Sequence, residues 1–223
     1  FYFISISDLI STPLSTNSGV HVHGTENQYQ DELWHKIRTL LLTATTVKEF
    51  ITNQKPKIIK LMGLAKPFYS KYTQHGIDHE QDAIHDFEAK YGGNVIKCGA
   101  FISRKYPFLL ASPDGIYGDN LIEVKCPYIL AETTPWDLKS LKKPQRQRHF
   151  CVSTENEIGI ALKRSHKYFD QVQISMLVTG FRNTVCIVYT PNDVTKIDVP
   201  LEEDFATRLL EKSFDKFKKV FIP

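Results

Sequence analysis

The sequence predicts a single α/β (α+β) domain over residues 1–223, with a central mixed β-sheet flanked by helices, on three observations. Apolar residues recur at helical spacing over residues 77–91 and 201–221. Short apolar runs of strand length, several separated by turn residues, lie at 95–103, 108–111, 121–126, 184–190 and 194–199. With 223 residues, 42% hydrophobic and 24% charged, the chain can bury one sizeable core and has an ordinary globular composition. No apolar run reaches eighteen residues, so no membrane span is expected.

The elements follow in order. Residues 25–42 read as a helix whose apolar side carries Trp34, Ile37 and Leu41, and Arg38 shares that side. A charge on a core-facing stripe is costly without a partner. A second helix is expected from Thr46, where Thr46-x-x-Glu49 has the form of a capping box. Its free N–H groups would suit a phosphate, and Lys55, Lys57, Lys60, Lys66 and Lys71 follow it. In the helix over 77–91, Ile77, Ala83, Ile84, Phe87 and Tyr91 form one stripe, with Gly92 and Gly93 as stops. Glu80 lies on that stripe, a position that asks for a paired or metal-bound carboxylate. The runs 95–103, 108–111 and 121–126 read as strands, with turns at 113–115 and 118–120 that suit antiparallel neighbours. A helix capped by Ser165 runs to Thr179, and Gly180 stops it. Two strands, 184–190 and 194–199, meet at an Asn192-Asp193 turn. The last helix, 201–221, gathers Leu201, Phe205, Leu209, Phe217 and Val220 on or near one face.

The chemistry concentrates in Ser112-Pro113-Asp114-Gly115 and the strand from Leu121 to Pro127. Side chains alternate along a strand, so Ile122, Val124 and Cys126 face one way while Leu121, Glu123 and Lys125 face the other. Glu123 and Lys125 thus enter one site, next to Asp114. Carboxylate oxygens suit a hard ion such as Mg²⁺. A lysine beside the ion can orient water or stabilise charge on a reacting phosphate. Taken alone, Pro-Asp-Gly is also a common turn and Glu-x-Lys a common exposed pair. The third acid upstream, Glu80, shifts the balance toward a site.

The order helix-Glu, then Pro-Asp, then Glu-x-Lys resembles the PD-(D/E)XK nucleases, and within them the lambda exonuclease and YqaJ-type viral recombinase group. Four segments carry the likeness: Trp34 to Arg38 with Leu42 to Thr45; Gly76 to Glu80; Ser112 to Tyr128; and Tyr168 to Gln173, ending in Val178-Thr179-Gly180. Thr45 stands where the group usually has serine, residues 131–167 look longer than in the phage enzyme, and residues 1–24 form an extension that matches nothing in the group.

The resemblance implies a restriction-endonuclease-like core and phosphodiester hydrolysis. Asp114, Glu123 and the Val124 carbonyl would hold one or two Mg²⁺ ions, with Mn²⁺ as substitute, and Glu80 would complete the shell. Lys125 would serve the water or the developing charge, Gln171 would lie close by, and Tyr168 would stack or pack. The resemblance further implies 5′-to-3′ digestion of one strand of linear double-stranded DNA from a 5′-phosphorylated end, for recombination or end processing. Arg38, Thr43 and Thr45 would form the terminal phosphate pocket, with Ser112 nearby. A single-strand annealing protein would be the partner, and a homo-oligomer is one possible assembly. A structure-selective or single-strand endonuclease with the same core, and a catalytically dead DNA-binding module, are the alternatives.

A net charge of +3 does not by itself indicate nucleic acid. Its distribution is more telling, because residues 131–167 hold eight basic side chains, Lys139, Lys142, Lys143, Arg146, Arg148, Lys163, Arg164 and Lys167, against four acidic ones. Cys98, Cys126, Cys151 and Cys186 form no Cys-x-x-Cys pair, which argues against a structural zinc or iron–sulfur site. They favour an intracellular, reducing compartment, nucleus or cytoplasm.

Overall fold

The structure is a computed structural model that describes residues 14–53, 70–153 and 159–221. Two four-stranded sheets organise it. The first joins, in spatial order, β1 (Gly19–His21), β3 (Phe101–Ser103), β4 (Leu109–Ala111) and β2 (Leu42–Thr43). The second joins β10 (Asp193–Pro200), β9 (Asn183–Thr190), β6 (Asn120–Lys125) and β5 (Gly115–Tyr117). Each is mixed, with one parallel pair (β2 with β4, β6 with β9) among antiparallel ones. The expected class therefore holds, with the sheet hydrogen-bonded in two parts. A hairpin of β7 (Cys151–Ser153) and β8 (Ile160–Leu162) stands apart.

The helices are α1 (Glu32–Leu40), α2 (Val47–Thr52), α3 (Lys71–Tyr91), α4 (Lys143–Arg148), α5 (Lys167–Thr179) and α6 (Glu203–Phe221). On the way from β6 to its parallel neighbour β9 the chain forms α5, the covalent bridge a parallel pair needs. Its apolar residues surround it, and it is buried almost throughout, against β3, β4 and α6. On the other side of the second sheet, Ala83, Ile84 and Phe87 of α3 pack on Ile122, Val124, Val185 and Ile187. The alternation along β6 is thus realised: Ile122 and Val124 meet α3, while Glu123 turns toward α5. Of the expected α3 stripe, Ile77 stays half-buried and Tyr91 exposed.

Several boundaries differ for identifiable reasons. The first helix begins only at Glu32, because Gln28–Gln30 form a 3₁₀ turn and Asp31 is extended at φ −94°, ψ 121°. Thr46 is no capping box: its hydroxyl turns back to the Thr43 hydroxyl (3.0 Å) and carbonyl (3.1 Å), while Glu49 pairs with Lys167. Lys55, Lys57, Lys60 and Lys66 lie outside the described residues. The helix α3 starts at Lys71, where the Ser70 hydroxyl accepts from the Thr73 N–H (3.2 Å). Of the strand expected over 95–103 only its end forms, since Gly99 lies so close to Thr25 that a Cβ would stand 2.5 Å from the Thr25 carbonyl carbon. Gly115 opens a strand rather than closing a turn, and β5 returns to β6 through Gly118, at φ 56°. His166, not Ser165, caps α5: its Nδ1 accepts from the Tyr168 N–H. Asp193 pairs with Thr190, which moves the turn to Pro191-Asn192, and the last helix starts at Glu203.

Part of the N-terminal extension is structural, because β1 is an edge strand on β3. Residues 131–167 likewise contain α4 and the hairpin, and Leu138, Leu141, Phe150, Cys151 and Leu162 pack with Phe169 and Val172 of α5. All four cysteines are free thiols.

Candidate active site

Backbone pairing assembles the site. Asp114 stands just before β5, where its N–H donates to the Ile122 carbonyl (3.0 Å) and its Oδ2 accepts from the Val124 N–H (2.6 Å). The carboxylate is thereby locked to the strand that carries Glu123 and Lys125. The Lys125 ammonium donates to Glu123 Oε1 in a short contact and to the Val124 carbonyl (3.1 Å). Gln171, arriving on α5, donates its Nε2 to the same Glu123 oxygen (2.5 Å). Glu123 is only 4% exposed, and the Lys125 Nζ sits 4.6 Å from the centre of the Tyr168 ring, a cation–π contact.

The charges strain against one another. Burial raises the Asp114 carboxyl well above the usual carboxylate range, and Glu123 and Glu80 push it further. Burial also raises Glu80, with Glu123 adding to the shift and Lys125 and Lys97 opposing it. Burial disfavours the Lys125 cation, yet Glu123 and Asp114 outweigh that and hold the ammonium more firmly protonated than usual. Lys125 is the cation that touches this carboxylate group, and it does not bring Asp114 or Glu80 back to the usual range, an imbalance that a divalent cation would relieve.

The donors suit such an ion: the Asp114 and Glu123 carboxylates and the Val124 carbonyl are all hard oxygen ligands. Among the described residues no three His, Cys, Asp or Glu side chains stand close enough to hold an ion between them. Mg²⁺ needs no such cage, since it is commonly held by one or two carboxylates plus substrate phosphate. Glu80 lines the adjoining cavity from α3 without closing a three-carboxylate cage.

A second group stands beside the first. The Arg38 guanidinium lies 4.1 Å over the Trp34 ring, and the Trp34 Nε1–H donates to Ser112 Oγ (2.7 Å). Burial lowers Arg38 to about 10, with Glu123 and Asp114 pulling it back up, so it remains a cation at neutral pH. It makes no hydrogen bond or ion pair with another described residue, which leaves its donors available. Thr43 is buried opposite Leu110 of β4, two residues before Ser112, and bonds Thr46. Thr45 is half-buried in the Ala44–Thr46 turn, and no hydrogen bond ties either threonine to Arg38. Arg38 and Ser112 are therefore brought together through Trp34, while the two threonines form the neighbouring turn.

Two contributors are not legible in the sequence, and a third, Trp34, is legible there only as an apolar-side residue of the Trp34 to Arg38 segment. Trp34 orients Arg38 and Ser112, and its place four residues before Arg38 on a helix was the available signal. Gln28, at φ 49°, donates to the Pro113 carbonyl (2.8 Å) directly behind Asp114. An ion pair between Lys48 and Asp170 (2.8 Å) ties α2 to α5, with nothing local to announce it.

The site opens into a cavity of about 640 Å³ bounded by Glu80, Asp114, Lys125 and Tyr168 at one end and by Arg148, His149 and Phe150 beyond. His149 is 4% exposed, and its Nδ1 accepts from the Cys151 N–H (3.1 Å). Burial lowers it from 6.5 to about 4. Between those values the unfolded chain binds a proton that the folded chain refuses, so stability rises with pH and falls as pH drops below 6.5. From pH 7 to pH 5 the wild type should lose about 2 kcal/mol more than His149→Gln, by urea denaturation of both proteins. Equal losses would show that His149 is not held neutral.

A family model described as YqaJ-like viral recombinase domain matches residues 33–182. A search of curated proteins found no match. Among solved structures, an alkaline exonuclease from Laribacter hongkongensis superposes with a TM-score of 0.64 at 19% identity, covering 85% of this chain and 92% of that one. The Shutoff and Exonuclease Protein of the Kaposi's sarcoma-associated herpesvirus gives 0.51 at 11%, covering 88% and 71%. A SOX–DNA complex gives 0.53 at 11%, covering 88% and 70%. At these identities the likeness is one of fold.

Proposed function

The chain belongs to the YqaJ-like viral recombinase domain family, and we propose that it is a metal-dependent deoxyribonuclease that digests one strand of linear duplex DNA from a 5′-phosphorylated end. The observation that carries this is the half-buried Lys125 ammonium, paired with Glu123 and kept protonated by the charges of Glu123 and Asp114, at the end of a large cavity. Asp114, Glu123 and the Val124 carbonyl would hold Mg²⁺. Such an ion, when bound, polarises a phosphate and lowers the pKa of a coordinated water.

The side chains supply the rest. Lys125 keeps its proton and presents N–H donors where negative charge grows on a phosphate oxygen. Gln171 fixes the Glu123 oxygen that Lys125 also grips, so the two strand residues keep one geometry. Asp114 cannot swing away, because the Val124 N–H holds one of its oxygens. The free donors of Arg38 suit a terminal phosphate, which a planar guanidinium can grip through two parallel bonds. A neighbour of this fold is known in complex with DNA, which supports a nucleic-acid substrate. Among the described residues no helix is long and apolar enough to cross a membrane. The single-stranded tail left by such digestion is what a single-strand annealing protein would take up.

The test pairs two substrates with Mg²⁺: linear duplex carrying a 5′-phosphate and a label at the 3′ end of one strand, and closed circular duplex. Shortening from the 5′ side with the circle intact is the expected result. Cutting of the circle would make the protein an endonuclease, and binding without cutting would make it a DNA-binding module.

A further inference from the structure

We propose that Gln28 is a positioning residue for the metal centre, fixing the peptide plane that carries Asp114 and so setting the affinity of the site for its divalent cation. The inference rests on the nuclease reading and adds to it a residue that lies ahead of residues 33–182, the stretch matched by the family model.

The turn Ser112-Pro113-Asp114 is held from behind at successive residues. The Trp34 Nε1–H holds the Ser112 hydroxyl (2.7 Å). Pro113 has no N–H of its own to anchor it. The peptide unit between Pro113 and Asp114 is planar and rigid, so its two polar ends set the direction in which Asp114 leaves the backbone. Both ends are taken. The Asp114 N–H donates to the Ile122 carbonyl (3.0 Å), and the Pro113 carbonyl accepts from the Gln28 Nε2 (2.8 Å). The same Nε2 lies 3.4 Å from the Cys98 carbonyl. The Cys98 thiol also approaches the Pro113 carbonyl, at 3.5 Å, but a thiol is a weak donor. Pro113 is buried, so without Gln28 its carbonyl loses its one strong donor among the described residues.

Gln28 reaches that carbonyl from an unusual backbone. Its φ of 49° is the only positive value at a non-glycine among the described residues. Such a conformation persists only where the surroundings over-determine it, and it gathers at functional sites. Here the Gln28 N–H donates to the Thr25 carbonyl (3.1 Å), and the Gln28 carbonyl accepts from the Asp31 N–H (2.9 Å). Thr25 is pinned in turn: its hydroxyl donates to the Val22 carbonyl (2.6 Å) and accepts from the Ala100 N–H (2.8 Å). The Gln28 side chain also lines a second cavity, of about 240 Å³, which Glu80 and Asp114 border too. It thus stands beside the carboxylates while its Nε2 donates to the backbone behind them.

The experiment measures Mn²⁺ uptake by the intact protein, through the electron paramagnetic resonance signal of the free ion, beside DNA cleavage across a Mg²⁺ series. Gln28→Met keeps the length of the side chain but has no donor. Gln28→Gly removes the side chain and takes a positive φ without strain, so one variant loses the contact with the backbone relaxed. Both should raise the Kd for Mn²⁺ by about tenfold, the equivalent of leaving a buried carbonyl unsatisfied. The Mg²⁺ concentration for half-maximal cleavage of 5′-phosphorylated linear duplex should rise in proportion. The rate at saturating Mg²⁺ should stay within about threefold of wild type, because the reacting groups are untouched. A purely structural role would lower the melting temperature and leave the Mn²⁺ affinity of the folded protein at its wild-type value, which would overturn the proposal. So would a fall in the saturating rate with Mn²⁺ uptake unchanged. Failure of the nuclease reading looks different: the wild type would cut no DNA in Mg²⁺, while the Mn²⁺ series would still separate it from the variants.

Discussion

Lys125→Ala is expected to lower the rate of DNA cleavage by about three orders of magnitude while leaving the protein folded. Among the described residues the ammonium is the one cation in hydrogen-bond contact with Glu123, and it also caps the Val124 carbonyl. Without it, Asp114, Glu123 and Glu80 repel one another with only the more distant Arg38 and Lys97 to offset them, and two of the three are already raised by burial. Donors aimed at developing charge in a water-poor site commonly contribute two to three orders of magnitude. Loss of a buried partner also destabilises, so melting curves must accompany the rates. Lys125→Arg keeps the charge in a different shape and should recover only part of the activity. Asp114→Ala should be equally silent, because it removes an oxygen that Val124 holds in place for a cation. A native-like Lys125→Ala or Asp114→Ala protein that still digests linear duplex at a comparable rate would remove these residues from the chemistry.

What the sequence revealed and concealed follows from the range of the forces involved. The alternation that sends Glu123 and Lys125 to one face is a property of the strand itself, and it survives unchanged in β6. The helical stripe around Glu80 is local in the same way. In contrast, Asp170, Gln171, Gln173 and Ser175 are polar residues whose sequence pattern carries no sign of burial, yet all are buried in α5. Three of them are satisfied by remote partners: Asp170 by Lys48, Gln171 by Glu123, and Gln173 by the Pro200 carbonyl and the Glu202 N–H. No local period encodes such pairings.

The basic segment is a similar case. Composition counts every cation as free, but Arg164 is taken by Glu202, Lys167 by Glu49 and Lys163 by the Gln147 carbonyl. The charge left for a polyanion centres on α4, around Lys142, Lys143, Arg146 and Arg148, and the last of these lines the active-site cavity.

The preference for a 5′-phosphate over a 5′-hydroxyl should fall by about tenfold to a hundredfold in Arg38→Ala, since hydrogen bonds to a charged group are worth about 1.5–3 kcal/mol. Arg38 is half-buried and cationic, and its guanidinium lies 4.1 Å over the Trp34 ring with no hydrogen-bonding or ion-pair partner among the described residues. A charge partly withdrawn from water gains from a ligand that completes it. Because Glu123 and Asp114 feel its charge, Arg38→Ala will also change the absolute rate. The ratio between the two ends cancels that effect and isolates the pocket. Arg38→Lys preserves the charge but not the two-pronged grip, so its ratio should fall between wild type and alanine. Trp34→Phe keeps a ring beneath the guanidinium but loses the bond to Ser112, and it should reduce the ratio by less than Arg38→Ala. A ratio untouched by Arg38→Ala would place the terminal phosphate elsewhere and leave Arg38 with a purely electrostatic part, balancing the carboxylates from behind.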